Sequence, residues 1–395
     1  MNAYNKTLLE QTFLLEEAQN LRAGGFINTD QFRIIESQLP VLKTQKSFLI
    51  RIGLFLVGLV LCASIAGVLT LFSYSMMSMH GVGWMAFLFS LICIGGLEWM
   101  IQTKNYFGYG LDDAFLLSGQ LALAVCLYIL LDEMDLSQNW LDWLFILGFG
   151  AVMAFCAIRY LNLLSALGAC IALTAVVGYW FVEKNIGITP FIIMLFAALL
   201  GLGFTLLRKR FANPIYTHII QLVIYYSYVL FYLSGNLLAL SYFSYHFYSF
   251  DWDIAEVYMG FLDYFYWFFS FLVPIIYLFY AVKTKDKGWL WIGGLCLFFS
   301  FYTLMCFSNF LTTDWWLTLG GAVLFGLSLG LIKRLKYKTT GLTFEPDLLN
   351  DDSSFMDAEA LIVAAQLGLK PEATQEAPMK FGGGGFSGGG AGDTF

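Results

Sequence analysis

The stretch from Phe48 to Phe72, FLIRIGLFLVGLVLCASIAGVLTLF, decides the fold. Its one charge is Arg51, a turn from the start, and no face is polar enough to turn toward water. A helix of this length is longer than the hydrocarbon core of a bilayer is thick, about 30 Å. Nine more apolar stretches follow, near 82–101, 112–131, 140–158, 161–182, 189–207, 214–242, 258–282, 288–309 and 314–332. Hydrophobic residues make up 59% of the chain and charged residues 12%, where soluble domains carry about 25% charged residues. The expected fold class is therefore an all-α polytopic transmembrane bundle of about ten spans. The surrounding partner is the lipid bilayer, and nucleic-acid binding is not expected.

Lys and Arg fix the orientation, because acidic residues contribute little to it. With the N-terminus inside, the inner connections carry Lys104, Arg159, Arg208 to Arg210, and Lys283, Lys285 and Lys287. The last span is followed by Lys333, Arg334, Lys336 and Lys338; the N-terminal segment holds Lys6, Arg22, Arg33, Lys43 and Lys46, with Arg51 just inside the first span. Outer connections hold only Lys184 and are otherwise neutral or acidic, as at Asp132, Glu133 and Asp135 or at Asp251, Asp253 and Glu256. An even number of spans with both termini cytoplasmic accounts for all of this. One span more or fewer would invert every later loop. No secretory leader is expected, since the first apolar run starts too far into the chain.

Three parts follow: a helical hairpin over 1–46, the membrane bundle over 47–338, and a polar tail over 339–395. In the hairpin, Leu8, Leu9, Phe13, Leu14, Ala18 and Leu21 recur at helical spacing. Gly24-Gly25 ends that helix. Asn28 or Thr29 caps a second, which runs through Phe32, Ile35 and Leu39 to Pro40. So small a hairpin buries little on its own, so it is expected to dock on the bundle or on a protein partner. The string Leu21-Arg-Ala-Gly-Gly-Phe-Ile-Asn-Thr-Asp-Gln-Phe32 resembles the start of the DUF2157 group of bacterial multi-pass membrane proteins, whose function is unknown. The resemblance covers about a tenth of the chain. It implies the bacterial cytoplasmic membrane and carries over no catalytic residue.

In the tail, Phe355 to Leu369 has the spacing of one amphipathic helix, stopped by Pro371. The end, from Phe381 to Phe395, is glycine-rich and looks like the tails of bacterial membrane proteins that carry a TPM domain, although no such domain is visible here. A solvated tail and a tether captured by a protein partner both fit it. No strand precedes the glycines and no Lys-Ser/Thr pair follows them, which excludes a phosphate loop.

Catalytic, cofactor and metal motifs are absent. There is no HExxH and no GxSxG, and the three histidines, at 80, 218 and 246, are scattered. All seven cysteines fall inside spans, as small packing residues. The charges within spans carry more information, because burying one in lipid costs at least about 2.5–3.5 kcal/mol. Arg51 and Glu98 both lie toward the cytoplasmic side, placed either to pair or to reach the interface separately. Asp112 and Asp113 start the third span, where the helix dipole favours them. Asp263 enters the eighth span from outside, one helical face from Trp267. Pro274 should kink that span.

Aromatic density peaks between Tyr225 and Phe271. One reading is an interfacial belt. The other is an outward cleft lined by Tyr225, Tyr228 and Trp267 with Asp263 at its floor, suited to a lipid-like, sugar-bearing or cationic ligand. Asp263, Trp267, Tyr225, Tyr228 and Glu98 are thus the candidate ligand-binding residues. Small residues at every fourth position, such as Gly58-Cys62-Ala66-Thr70, Ala166-Cys170-Thr174-Gly178 and Ala322-Gly326-Gly330, read as seams where helices approach closely. Two functions remain open: a transporter-like or ligand-binding bundle, and a non-catalytic scaffold or regulator acting through the hairpin and tail.

Overall fold

The computed structural model describes residues 3–45, 47–72, 79–134, 137–183, 189–210, 214–248, 262–307 and 313–336. The expected tail helix over 355–369, the glycine-rich end and the acidic connection at Asp251, Asp253 and Glu256 lie outside the described residues. The described elements are α1 (Lys6–Ala23), α2 (Thr29–Gln38), α3 (Phe48–Phe72), α4 (Met79–Trp99), α5 (Leu111–Asp132), α6 (Gln138–Tyr160), α7 (Leu163–Glu183), α8 (Thr189–Arg210), α9 (Thr217–Ser234), α10 (Leu237–Tyr248), α11 (Leu262–Thr284), α12 (Lys287–Phe307) and α13 (Thr313–Leu335). Among the described residues, nine helices are long and apolar enough to cross a membrane. The fold is an all-α polytopic bundle.

Neighbours in sequence pair as antiparallel hairpins, α4 with α5, α6 with α7, α8 with α9, and α11 with α12. Helix α3 lies along α5, and α7 meets α9 to join the two halves. Helix α5 is the axis of the first half, burying Ala114, Phe115, Leu116, Gly119, Gln120 and Cys126. Its buried Gln120 donates from Nε2 to Ser165 Oγ on α7 at 2.8 Å, so the polar pair satisfies itself inside the bundle.

Two of the small-residue seams hold. A β-carbon on Gly58 would press into Ala114 on α5, and Cys62, Ala166 and Cys170 are buried. The third does not. Ala322, Gly326 and Gly330 on α13 are exposed, and nothing lies within 4 Å of where a β-carbon on Gly326 or Gly330 would sit. Among the described residues, α13 makes its main helix contact with α12.

The seventh apolar stretch, expected as one span over 214–242, is instead broken at Gly235-Asn236 into α9 and α10. Asn236 causes the break chemically. Its Oδ1 accepts the N–H groups of Leu238 at 3.0 Å and Ala239 at 3.2 Å, capping α10 where α9 stops.

The N-terminal hairpin closes one end of the bundle. Asn28 caps α2 through a reciprocal pair with Gln31, and Leu15, Ala18 and Phe32 form the hairpin's own small core. The other face of α1 carries Leu9 into the bundle core beside Leu97, Met100, Leu116 and Tyr160. Ala3 N–H donates to Arg159 O at 3.1 Å, and Lys43 pairs as a short parallel bridge with Tyr106. This end of the molecule is called the hairpin end below.

Candidate functional site

Helix α4 does not stop cleanly at the hairpin end. It finishes in a π-helical turn over Met100–Lys104, and Asn105 then takes a left-handed conformation at φ 58°. The widened turn swings Tyr106 and Phe107 under the hairpin, where Phe107 meets Tyr4 edge-on at 5.0 Å. Gly110, at φ +101°, then starts α5; a β-carbon there would collide with the Arg51 carbonyl of α3. Only glycine lets these two backbones meet in that conformation. On the other side, Leu161 at φ 53° turns α6 into α7 within two residues. Asn162 caps α7 by accepting Ser165 N–H at 2.8 Å.

These turns gather the charges. Glu98 Oε1 accepts Arg159 Nη2 at 2.6 Å, Arg159 Nε at 2.9 Å and Tyr160 O–H at 2.8 Å. Asp113 Oδ2 accepts Arg51 Nη2 at 2.5 Å and Nε at 3.1 Å, while its Oδ1 accepts Asn162 Nδ2 at 2.8 Å. Asp112 is only 3% exposed, and its Oδ1 accepts Gly110 N–H at 2.8 Å. No described Lys, Arg or His nitrogen lies within 4 Å of the Asp112 carboxylate. Tyr4 O–H donates to Tyr160 O at 3.3 Å. Burial, and then the negative charges of Asp112 and Asp113, push the Tyr4 hydroxyl pKa well above the ordinary tyrosine value.

Between this network and the hairpin lies a cavity of about 520 Å³. Thr12, Phe13, Glu16 and Gln19 of α1 line its roof; Arg51, Asp112, Asp113 and Asn162 line its floor. Its size is that of a small-molecule site.

A second polar cluster lies deep in the other half. Pro274 of α11 has no N–H to offer the carbonyl of Ser270, four residues earlier. Ser300 Oγ of α12 donates to that carbonyl at 2.5 Å. Tyr232 O–H lies 2.8 Å from Ser300 Oγ and donates to Cys296 O at 2.9 Å. Asn236 Nδ2 donates to Tyr232 Oη at 3.0 Å, and Thr303 Oγ1 donates to Asn236 Oδ1 at 3.1 Å. Ser270, Ser300, Thr303 and Asn236 are wholly buried. Two irregular helices are thus tied together by side chains that replace the missing backbone bonds, as apolar surroundings require.

The residues singled out from sequence fall in different places. Glu98 is ion-paired, but with Arg159; Arg51 pairs with Asp113. The Arg51–Glu98 pair, one of the two readings of these charges, does not form, because the α6–α7 turn brings a second arginine closer to Glu98. Tyr225 and Tyr228 pack on Trp289, with ring centroids at 5.9 and 4.8 Å, and Tyr225 O–H donates to Asp286 Oδ1 at 2.8 Å. Trp267 packs elsewhere, edge-on to Phe307 at 6.2 Å. Asp263 belongs to α11, and its side chain lies outside the described residues. Glu98, Tyr225, Tyr228 and Trp267 do not line the hairpin-end cavity, although Glu98 holds Tyr160, which does. Sequence reasoning missed Arg159, Tyr160 and Asn162 as a group. Their signal was three polar residues within four positions at a turn between two apolar spans.

Comparison of the chain with protein-family models, with curated proteins and with solved structures finds no match in any of them. The fold and the paired charges within it define a class, the multi-pass helical membrane proteins.

Proposed function

We propose that this is a non-catalytic, transporter-like bundle of the bacterial cytoplasmic membrane that binds a small molecule at its cytoplasmic end. The supporting observation is the cavity of about 520 Å³ under the hairpin, walled by α1 and by residues of six bundle helices, α3, α4, α5, α6, α7 and α9. Three features fit the reading. The cavity floor carries charged side chains, which a membrane protein retains at a cost unless they serve a purpose. The roof is a separately folded element that can lift. In the second half, the break at Gly235-Asn236 makes a discontinuous helix and Pro274 leaves its neighbour short of one backbone bond, features around which transporter halves move. The sorting of Lys and Arg to one side supports a cytoplasmic position for both termini.

A thermal-shift screen of small molecules against the purified protein tests this. At least one compound should raise the Tm saturably in the wild type and not in Gln19→Trp, which narrows the cavity from its roof. Stabilisation that survives Gln19→Trp for every active compound would place binding elsewhere and refute the proposal.

The scaffold reading has one observation in its favour: Leu14, Phe26 and Ile34 of the hairpin are more than half exposed on its outer side. A protein partner seated there would protect the hairpin from proteolysis in membranes, and Phe26→Ser with Ile34→Ser would abolish that protection.

A further inference from the structure

The cavity's chemistry points to the class of molecule it takes, an inference that rests on the cavity being a binding site. Two positions decide the sign of its charge. Arg51 and His218 are the basic residues of the lining; His218 counts as neutral at pH 7, and the Arg51 guanidinium is already spent on Asp113 through two nitrogens. Asp113 in turn uses both oxygens, on Arg51 and Asn162. That pair is neutral as a unit. What remains is Asp112, nearly fully buried and held by backbone N–H but by no cation, and Glu16 across the cavity on α1. The site therefore presents net negative charge. An anion would have to displace Asp113 from Arg51 and then lie beside two carboxylates, which costs several kcal/mol in like-charge contact.

The walls between the carboxylates are aromatic and apolar. Phe13 and Phe107 meet edge-on at 6.4 Å, Tyr4 packs on Phe107, and Leu97 and Leu116 close the bottom. Inorganic cations prefer several convergent oxygens, whereas a ring-lined chamber with one buried carboxylate suits an ammonium group on an apolar body. We propose that the hairpin-end cavity binds a monovalent organic cation, its charged nitrogen toward Asp112 and its apolar part against Phe13 and Phe107. Since α1 carries Glu16 and Phe13, the hairpin is then part of the site, and the ligand holds it closed.

The test uses the full chain in lipid nanodiscs and three probes that share a fluorophore and a length. They are dansylcadaverine, which bears an ammonium, its neutral N-acetyl derivative, and a dansyl-aminoalkanoic acid, which is anionic. Empty nanodiscs supply the partition background. Saturable binding is expected for the cation, at least tenfold tighter than for the other two. Asp112→Asn should weaken it about tenfold. Glu16→Gln, on the exposed side of α1 where the bundle's folding is not at stake, should weaken it several-fold. Equal binding of the three probes that Gln19→Trp abolishes would overturn the cation assignment while leaving the cavity as a binding site. Absence of saturable binding by all three, or binding indifferent to Gln19→Trp, would overturn both.

Discussion

The junction between Pro274 and Ser300 makes the sharpest prediction, because two substitutions should cancel. In the wild type the Ser270 carbonyl has lost its helical donor to Pro274, and Ser300 Oγ supplies the replacement at 2.5 Å. Ser300 is wholly buried, so water cannot stand in. Ser300→Ala strands the carbonyl, and an unsatisfied buried acceptor costs about 1–3 kcal/mol. Interhelical hydrogen bonds in membranes measure lower, about 0.6 on average and about 1.7 at most, so the expected loss is about 1–2 kcal/mol. Pro274→Ala returns an N–H to position 274, which closes the helical bond to Ser270. In that background Ser300→Ala should cost only its remaining contacts, to Tyr232 and Cys296. These contacts are lost in both backgrounds and drop out of the difference. A coupling of about 0.5–1.5 kcal/mol should remain. The assay is reversible unfolding in mixed micelles by SDS titration, followed by tryptophan fluorescence, for the four proteins of the cycle. Equal costs within about 0.3 kcal/mol, the error of additivity for independent sites, would show that Ser300 does not replace the missing bond.

Glu98→Ala leaves Arg159 and Tyr160 without their acceptor. Because the Glu98 and Arg159 side chains are 20% and 32% exposed, the loss should be about 1–2 kcal/mol rather than the 3–5 of a deeply buried pair. It should exceed the loss from Arg51→Ala, whose side chain is 44% exposed; the same unfolding assay ranks the two. Tyr4 gives a pH dependence. Its folded pKa is raised by burial, so the docked hairpin keeps its full stability below the unfolded value near 10 and loses it as pH rises through the folded value. A fluorophore on Asn20→Cys should report undocking above about pH 10, and Tyr4→Phe should remove that dependence. Gly110→Ala combines a strained φ with a collision against Arg51 O. It should cost at least about 2 kcal/mol, read as a lowered Tm.

The count of spans was not legible, since about ten were expected and nine described helices are long and apolar enough to cross a membrane. The placement of most spans was, because lipid allows few answers: an apolar run of twenty residues has little choice but to be a helix. The hairpin was legible for a similar reason, since Gly24-Gly25, Asn28 and Pro40 are local signals that act without tertiary help. What sequence could not supply were the partners of charges. Glu98 has two arginines within reach of one bundle end, and only the left-handed Leu161 decides that Arg159 wins. The break at Asn236 was equally hidden. Asn236 reads as a polar residue in a span, and its cap depends on Thr303, 67 residues away. The α13 stripe shows the opposite error: its small residues obey the packing rule locally, but no helix comes to meet them.

The clasp between Tyr4 and Tyr160 spans 156 positions of the chain. A ribosome adding about 5–20 residues per second needs roughly 8–30 s to go from one to the other. For that interval the newborn hairpin has no seat, and its Leu8, Leu9 and Phe13 wait beside an unfinished bundle. Closure of this end therefore waits until the first four membrane helices have been made, although the hairpin itself is made first.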